Sequence, residues 1–323
     1  QWLRDKKSIS FLIHSSNLFV INGIILLNKY KFVTSNKILT LFKRKLKLKK
    51  AGLLGILDPL ATGVLPIVIG EATKYITYIE NNKKSYDIKC KLGVFSECGD
   101  FETEPTEYND EKSTIKNLQE QTIIETLTSF IGEYMQVPPM FSSTKHNGKP
   151  LYTYARQNIE IERAPKKRQI YELNFISLKS DILEFSVVCS SGTYIRTLVQ
   201  DISKKWDLHA CLYSLHRSKV EPFEDFQNVT LENLSVENFN EYLITIPNML
   251  SKLPKLLCSK EEINKLYNGL FIEKNICTTL HSLHRITSED NTFHGIGFFK
   301  ENCLYPKRLM KRWDLVCNST GTW

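Results

Sequence analysis

The sequence lacks any long apolar run, because every apolar stretch is interrupted before it reaches the roughly 18 residues that a membrane-spanning helix needs. It also lacks metal-ligand spacing, since its eight cysteines are scattered and neither a C-x-x-C pair nor a matching pair of histidines is present. No G-x-x-x-x-G-K-[ST] loop or G-x-G-x-x-G turn occurs. These absences argue against a membrane protein, a metal site and a bound nucleotide or flavin cofactor. The cysteines indicate free thiols in a reducing compartment.

The first twenty residues carry some charge followed by apolar residues, but Ser15, Ser16 and Asn17 interrupt them before a small-residue cleavage pattern appears. We therefore expect no secretory signal, and residues 1–20 stay an unassigned N-terminal extension.

Positive charge is in excess, with a formal net charge of +8. It is concentrated in three basic clusters: Lys43, Arg44, Lys45, Lys47, Lys49 and Lys50; Arg163, Lys166, Lys167 and Arg168; and Lys307, Arg308, Lys311 and Arg312. One such cluster is as well explained by a solvated face as by RNA binding, but three together favour a polyanionic partner.

Hydrophobic periodicity and turn residues predict the order of the elements. Strands are expected at Ile21–Leu27, Tyr86–Leu92 and Leu183–Cys189, and helices after the Thr34 N-cap and at Glu71–Glu80, Gln121–Ile131, Tyr152–Gln157 and Ile195–Lys205. A loop from Gly52 to Gly63 separates two ordered elements. Because the strands and helices interleave without a regular β-α-β rhythm, we predict an α+β fold on a mixed, mostly antiparallel sheet with flanking helices.

The pattern changes from about Asn248, where short strand-like pieces alternate with polar turns. This indicates a small β-rich C-terminal domain. The predicted organisation is an extension at 1–20, a large domain at 21–247, a small domain at 248–312 and a tail at 313–323.

The most informative string is GILDPLATGVLP, from Gly55 to Pro66, which places one carboxylate in an apolar loop bounded by glycines. Pro59 restricts Asp58 to extended conformations, so the backbone sets the direction of the carboxylate. An isolated Asp-Pro would be read as an ordinary turn.

The whole string resembles the G-x-L-D-P-x-A-x-G loop of the TruB-type tRNA pseudouridine synthases. Further matching strings follow in the family's order: NGIILLNK at 22–29, KSY at 84–86, STKHNGKPLY at 143–152 and SGTYIRT at 191–197. The likeness covers about 21–223, and FHGIG at 293–297 with LYPKRL at 304–309 is similar to the end of a PUA-like barrel. The resemblance therefore implies a pseudouridine synthase catalytic domain followed by a PUA-like RNA-binding domain.

The resemblance also implies the reaction and its residues. Uridine-55 in the T arm of tRNA is flipped into a pocket and isomerised to pseudouridine, without a cofactor or metal. Asp58 is then the catalytic carboxylate, acting on C1′ as a nucleophile or on C2′ as a base. Tyr86 stacks on the base, and Arg196 pairs with Asp58. Substrate or RNA contacts are further implied for Tyr194, Leu215 and Lys29.

A purely structural role remains open for three of these residues, because Tyr86, Tyr194 and Leu215 are also typical of a packed core. From the extended conformation expected around Tyr194, its side chain should face the same way as that of Arg196. The resemblance further implies a cytoplasmic monomer that binds tRNA and no membrane.

Several positions depart from the family pattern. Leu53 stands where the family's G-H-x-G string has histidine, and Tyr30 stands where the family has a proline after Lys29. The family's L-R-R string is Leu215-His216-Arg217 in this chain. These changes put RNA affinity in doubt more than chemistry. A non-catalytic RNA-binding or RNA-folding protein is therefore the alternative, and a dyskerin-type synthase guided by a separate RNA ranks below it.

Overall fold

The structure is a computed structural model that describes residues 21–79, 83–274 and 282–311. The predicted extension at 1–20 and the tail at 313–323 lie outside these residues. Contacts between Cα atoms divide the described chain into two compact units, Gly23–Lys252 and a smaller unit that contains 253–274 and 282–311.

The large unit is built on one mixed sheet. Its strands and those of two small hairpins are β1 Gly23–Lys29, β2 Ala51–Leu53, β3 Thr62–Ile69, β4 Lys84–Leu92, β5 Val94–Phe95, β6 Thr106–Glu107, β7 Gly132–Gln136, β8 Lys145–His146, β9 Lys149–Pro150, β10 Lys166–Lys179, β11 Ile182–Cys189, β12 Ala210–Val220 and β13 Asn228–Val229. Across the described residues nine of these strands form the sheet, in the order β13-β1-β3-β12-β4-β11-β10-β7, with β2 paired to β3. Only the β1–β13 and β3–β12 pairs in it are parallel, so the predicted mixed, mostly antiparallel sheet is confirmed.

The first strand shows why this sheet forms. Ile24 to Leu27 are all buried, which is typical of a strand covered on both faces. β4 instead alternates buried and exposed residues, as its period of two predicts. β4 lies between β11 and β12 and so forms the middle of the sheet.

Short helices flank the sheet: α1 Ser35–Lys45, α2 Lys112–Asn117, α3 Glu120–Ser129, α4 Leu151–Ala155, α5 Ile195–Ser203 and α6 Ile246–Met249. Thr34 caps α1 by accepting a hydrogen bond from the Lys37 amide at 3.2 Å, as its N-cap pattern predicts. Among the helices of the described residues none has the length and apolar character needed to cross a bilayer.

Two local predictions are wrong. Over the described part of the expected helix at Glu71–Glu80, which leaves out Glu80, two short 3₁₀ turns occur instead, Gly70–Lys74 and Ile76–Tyr78, and the first of them packs against β1 and β3. The expected loop from Gly52 to Gly63 is shorter, since Gly52 belongs to β2 and Gly63 to β3.

The smaller unit contains β14 Lys255–Cys258, α7 Lys260–Tyr267, β15 Ile272–Glu273, β16 Leu283–Ser288, β17 Phe293–Lys300 and β18 Cys303–Leu309. Its described strands form a five-stranded sheet in the order β14-β16-β17-β18-β15, which curls into a half-barrel. α7 starts with a capping box between Ser259 and Glu262, and its Ile263 and Leu266 pack into the core of this sheet. The predicted β-rich, PUA-like C-terminal domain is confirmed.

The cysteines of the described residues are free thiols: Cys90, Cys98, Cys189, Cys211, Cys258 and Cys303. Cys277 and Cys317 lie outside the described ranges.

Candidate active site

The loop between β2 and β3 carries Asp58, and buried polar side chains fix it on both sides. The Ser35 hydroxyl accepts a hydrogen bond from the Leu57 amide at 3.0 Å and donates one to the Leu57 carbonyl at 2.7 Å. The Lys29 ammonium donates to the carbonyls of Pro59 at 3.1 Å and Ala61 at 2.6 Å. The backbone before and after Asp58 is therefore held by hydrogen bonds from β1 and α1.

Lys29 is only 1% exposed, and a third hydrogen bond joins its ammonium to the Tyr30 carbonyl at 3.1 Å. Burial lowers its pKa to about 8, although the negative charges of Asp58 and Glu102 act to raise it. In this structure the side chain holds the loop that carries Asp58, and a contact with RNA stays a prediction.

Arg196 pairs with Asp58 as the sequence suggested. The Arg196 Nε lies 2.9 Å from Asp58 Oδ2, and its Nη2 lies 3.4 Å from Oδ1, so the guanidinium meets the carboxylate with two N–H groups. The Asp58 side chain is 37% exposed whereas that of Arg196 is 7% exposed. The carboxylate is thus open to a substrate while its partner is enclosed.

The remaining N–H groups of Arg196 anchor it to two other segments. Nη1 donates to the Cys98 carbonyl at 2.6 Å, and Nη2 donates to the Phe141 carbonyl at 2.8 Å. Asp100 Oδ2 lies 3.8 Å from Nε. Burial acts to lower the pKa of Arg196, but Asp58 and Asp100 outweigh it and raise that pKa above the ordinary value. Arg196 therefore remains charged and oriented.

Asp100 is a site residue that the sequence reasoning missed. It is 2% exposed, and its Oδ1 accepts hydrogen bonds from Cys98 Sγ at 3.0 Å and from the Glu102 amide at 2.9 Å. Glu102 in turn accepts a hydrogen bond from the Leu60 amide at 3.2 Å, and burial together with Asp100 raises its pKa. The only signal was an acidic stretch, and nothing in its spacing separates Asp100 from its solvated neighbours.

Tyr86 and Leu215 lie on the central strands beneath the loop. Tyr86 on β4 is the direct cross-strand partner of Arg217 on β12, and Leu215 is the partner of Ile88. Tyr86 is 7% exposed and Leu215 is 4% exposed. Burial raises the pKa of the Tyr86 hydroxyl, while the charge of Arg217 acts to lower it.

Gly63 permits the close approach of β3 to β12. A Cβ at Gly63, where φ is +101°, would lie 2.2 Å from the Arg217 carbonyl oxygen. Its place in the motif therefore has a steric reason.

The backbone of Tyr194 is extended, with φ −89° and ψ 109°, but the extended segment does not continue to Arg196, so that part of the prediction is wrong. Tyr194 is the N-cap of α5, and Arg196 is already in the first turn of this helix. The Tyr194 hydroxyl is 2.9 Å from Thr144 Oγ1, and the side-chain amide of Gln136 bonds both its backbone N–H and its carbonyl. Tyr194 thus joins the α5 start to the segment before α4.

Within the described residues, no group of three or more His, Cys, Asp or Glu side chains is arranged to hold a metal ion. The site has one half-buried carboxylate with a buried guanidinium as its partner, and an aromatic side chain on a central strand of the sheet. This arrangement can hold a carboxylate aimed at a carbon or proton of a bound substrate.

Comparison with known proteins places this arrangement in a class of enzyme. Residues 43–195 match the family model described as TruB family pseudouridylate synthase (N terminal domain). In solved structures, a Cbf5-Nop10-Gar1 complex aligns with a TM-score of 0.67 and 21% identity over 92% of this chain and 87% of that chain. An H/ACA RNP bound to a substrate RNA containing 2′-deoxyuridine aligns with a TM-score of 0.66 and 20% identity over 92% and 87%. The fold is that of the pseudouridine synthases.

Closer relatives identify the family. A tRNA pseudouridine synthase B from Mannheimia succiniciproducens is 37% identical over 90% of this chain and 96% of its own length. One from Clostridium kluyveri is 37% identical over 87% of this chain and 96% of its own length. The chain belongs to the TruB family of pseudouridine synthases.

Proposed function

We propose that this protein isomerises uridine-55 to pseudouridine in the T arm of tRNA, as a cytoplasmic monomer that needs no cofactor. The observation that carries the proposal is the half-buried Asp58 carboxylate held by Arg196 at 2.9 Å, in the loop between β2 and β3. The curated relatives that this chain matches over almost their whole length are named tRNA pseudouridine synthase B. Their name supports tRNA as the substrate.

The chemistry follows from these groups. The target base leaves the RNA stack and enters the pocket, where Tyr86 stacks on it and Leu215 and Tyr194 line its edges. Asp58, held by Arg196, attacks C1′ or removes the C2′ proton, and the bond from C1′ to N1 breaks. The uracil turns and C5 bonds to C1′, while the bond from Asp58 to C1′ breaks or the proton returns from Asp58 to C2′. The C5 proton then leaves and N1 gains one. Nothing is oxidised or hydrolysed.

The two units serve different parts of this function. The domain at 21–247 carries Asp58, Arg196 and Tyr86 and performs the chemistry. The PUA-like domain at 248–312 contributes RNA contacts through its basic residues, which include Lys307 and Lys311. No role is assigned to the segments at 1–20 and 313–323.

The test is to map pseudouridine in tRNA transcripts after incubation with the purified protein. We expect modification at uridine-55 alone, and none in a matched transcript that carries cytidine there. A transcript that is bound but remains unmodified would replace this proposal with the non-catalytic RNA-binding alternative. Modification at another uridine would retain the enzyme class and refute the site.

A further inference from the structure

Two buried cations lie beside Tyr86 on the same face of the sheet. Arg217 is fully buried: its Nε donates to the Val64 carbonyl at 2.7 Å and its Nη2 to the Gly55 carbonyl at 3.5 Å, while its Nη1 has no partner. Lys84 is 8% exposed, and its ammonium donates to Ser191 Oγ at 3.1 Å. In the part of the chain that the structure describes, no carboxylate lies within 4 Å of either charge. Buried cations without an acid cost folding free energy.

The two cations also lie close to each other. A Cβ built on Gly55 would be 3.0 Å from Lys84 Nζ and 3.5 Å from Arg217 Nη1. Burial lowers the pKa of Lys84 to about 8, and the neighbouring charge of Arg217 adds to this effect. An arrangement that is unfavourable in the free protein is typical of a functional site, where an opposite charge appears during the reaction.

Tyr86 connects these charges to the pocket. Arg217 is its direct partner across the β4–β12 pair, and Lys84 lies two residues earlier on the same face of β4. The charge of Arg217 acts to lower the pKa of the Tyr86 hydroxyl, and that of Asp58 acts to raise it. The phenol is therefore within electrostatic reach of both the buried guanidinium and the Asp58 carboxylate.

The proposed reaction supplies the missing negative charge. When the bond from C1′ to N1 breaks, its electron pair stays with the uracil, which carries the charge on N1, O2 and O4. This holds whether Asp58 bonds to C1′ or takes the C2′ proton. The charge persists while the base turns, and it disappears when the same ring uses an electron pair to bond C5 to C1′.

We propose that Arg217, supported by Lys84, is a positioning residue that acts through Tyr86: it lies directly opposite Tyr86 in the β4–β12 pair and keeps positive charge next to the ring on which the base becomes anionic. This inference rests on the proposed function, because the anion arises only if the glycosidic bond is broken. Preorganised charge in a site closed to water stabilises a developing anion strongly, since the field needs no reorganisation.

The test compares Arg217→Met with the parent on two tRNA transcripts, one with uridine and one with 5-fluorouridine at the target position. Single-turnover rates of glycosidic cleavage are measured at saturating enzyme. On uridine we expect the variant to be slower by about 100-fold or more, with tRNA affinity within a few-fold of the parent. On 5-fluorouridine we expect a loss of about tenfold or less, because fluorine stabilises the uracil anion and the cation is needed less. Arg217→Lys should recover part of the rate.

Methionine removes an uncompensated charge at similar length, so we expect thermal unfolding of Arg217→Met at or above the parental temperature. If that variant does not fold, Lys84→Met carries the same comparison of substrates. In the parent the rate should also fall as the pH passes 8, where both Lys84 and the loop-holding Lys29 lose their protons, and Lys84→Met should retain only the part that Lys29 causes. Lys89→Met, on the opposite face of β4, is the matched control and should retain the parental rate.

Equal slowing on both transcripts, or a parental rate of Arg217→Met on uridine, would overturn this inference and leave the proposed function intact. A parent protein that forms no pseudouridine would overturn both.

Discussion

Replacement of Arg196 by methionine tests how the active site is held together. The guanidinium is 7% exposed and bonds Asp58, the Cys98 carbonyl and the Phe141 carbonyl, with Asp100 at 3.8 Å. Its loss leaves the charge of Asp100, which is 2% exposed, without an ionic partner, whereas water can reach Asp58. Breaking a buried ion pair costs about 3–5 kcal/mol. We expect a loss near the lower end, because Cys98 and the Glu102 amide continue to donate to Asp100.

The assay is urea unfolding followed by the fluorescence of the buried Trp206. Arg196→Met is compared with Asp100→Asn and with the double variant. Asparagine is neutral, so it removes the unpaired charge, and the double variant should lose less than the sum of the two single losses. Additive losses would refute the reasoning. Arg196→Lys should fall between the parent and Arg196→Met, since one ammonium cannot span the carboxylate and both carbonyls.

Three further predictions concern chemistry, the loop and RNA. Asp58→Asn should reduce pseudouridine formation by at least about 10³-fold while tRNA affinity stays within a few-fold, as measured by single-turnover kinetics and filter binding; near-parental turnover would refute the catalytic assignment. The free energy of unfolding of the parent should rise relative to Lys29→Met between about pH 8 and pH 10, because the folded Lys29 has a pKa of about 8 and the unfolded side chain retains its proton longer; a parallel pair of pH curves would contradict this. Replacing the exposed Lys47, Lys49 and Lys50 by Gln should weaken tRNA binding and flatten its salt dependence by about 2 to 3 in logarithmic slope; an unchanged slope would show that this cluster is solvated only. Lys45 is left intact because its ammonium bonds the Leu231 and Glu232 carbonyls.

Local patterns were sufficient where one residue type decides the structure. The hydroxyl of Thr34 caps α1, and the alternation in β4 sets which of its residues face the core. The pairing of Asp58 with Arg196 was reached through the family resemblance, because no spacing within the sequence links two residues so far apart.

Other features depend on tertiary context. β3 was missed because Pro66 argues against a strand that lies between two others. In the structure β3 pairs with β12 only at Thr62 and Gly63 and with β2 from Ile67 to Ile69, so the missing N–H of Pro66 falls in a gap between these pairings, although its carbonyl accepts from the Leu54 amide. The sequence shows the proline but does not show the gap.

Arg217 and Asp100 were overlooked for a related reason. Each looks like an ordinary surface charge in the sequence, and only the sheet register and the loop packing reveal that each is buried. Burial of a charge is a property of the assembled fold, so composition could not indicate it.

The four-way anchoring of Arg196 has a consequence for synthesis of the chain on the ribosome. Asp58 and Arg196 are 138 positions apart. At about 5–20 residues per second, roughly 7–28 s pass between the translation of the aspartate and that of its partner. Throughout that interval the nascent protein has its reactive carboxylate without the group that aims it. Competence for the reaction therefore appears late, and nascent chains that terminate before α5 should be unable to modify the tRNA that surrounds them.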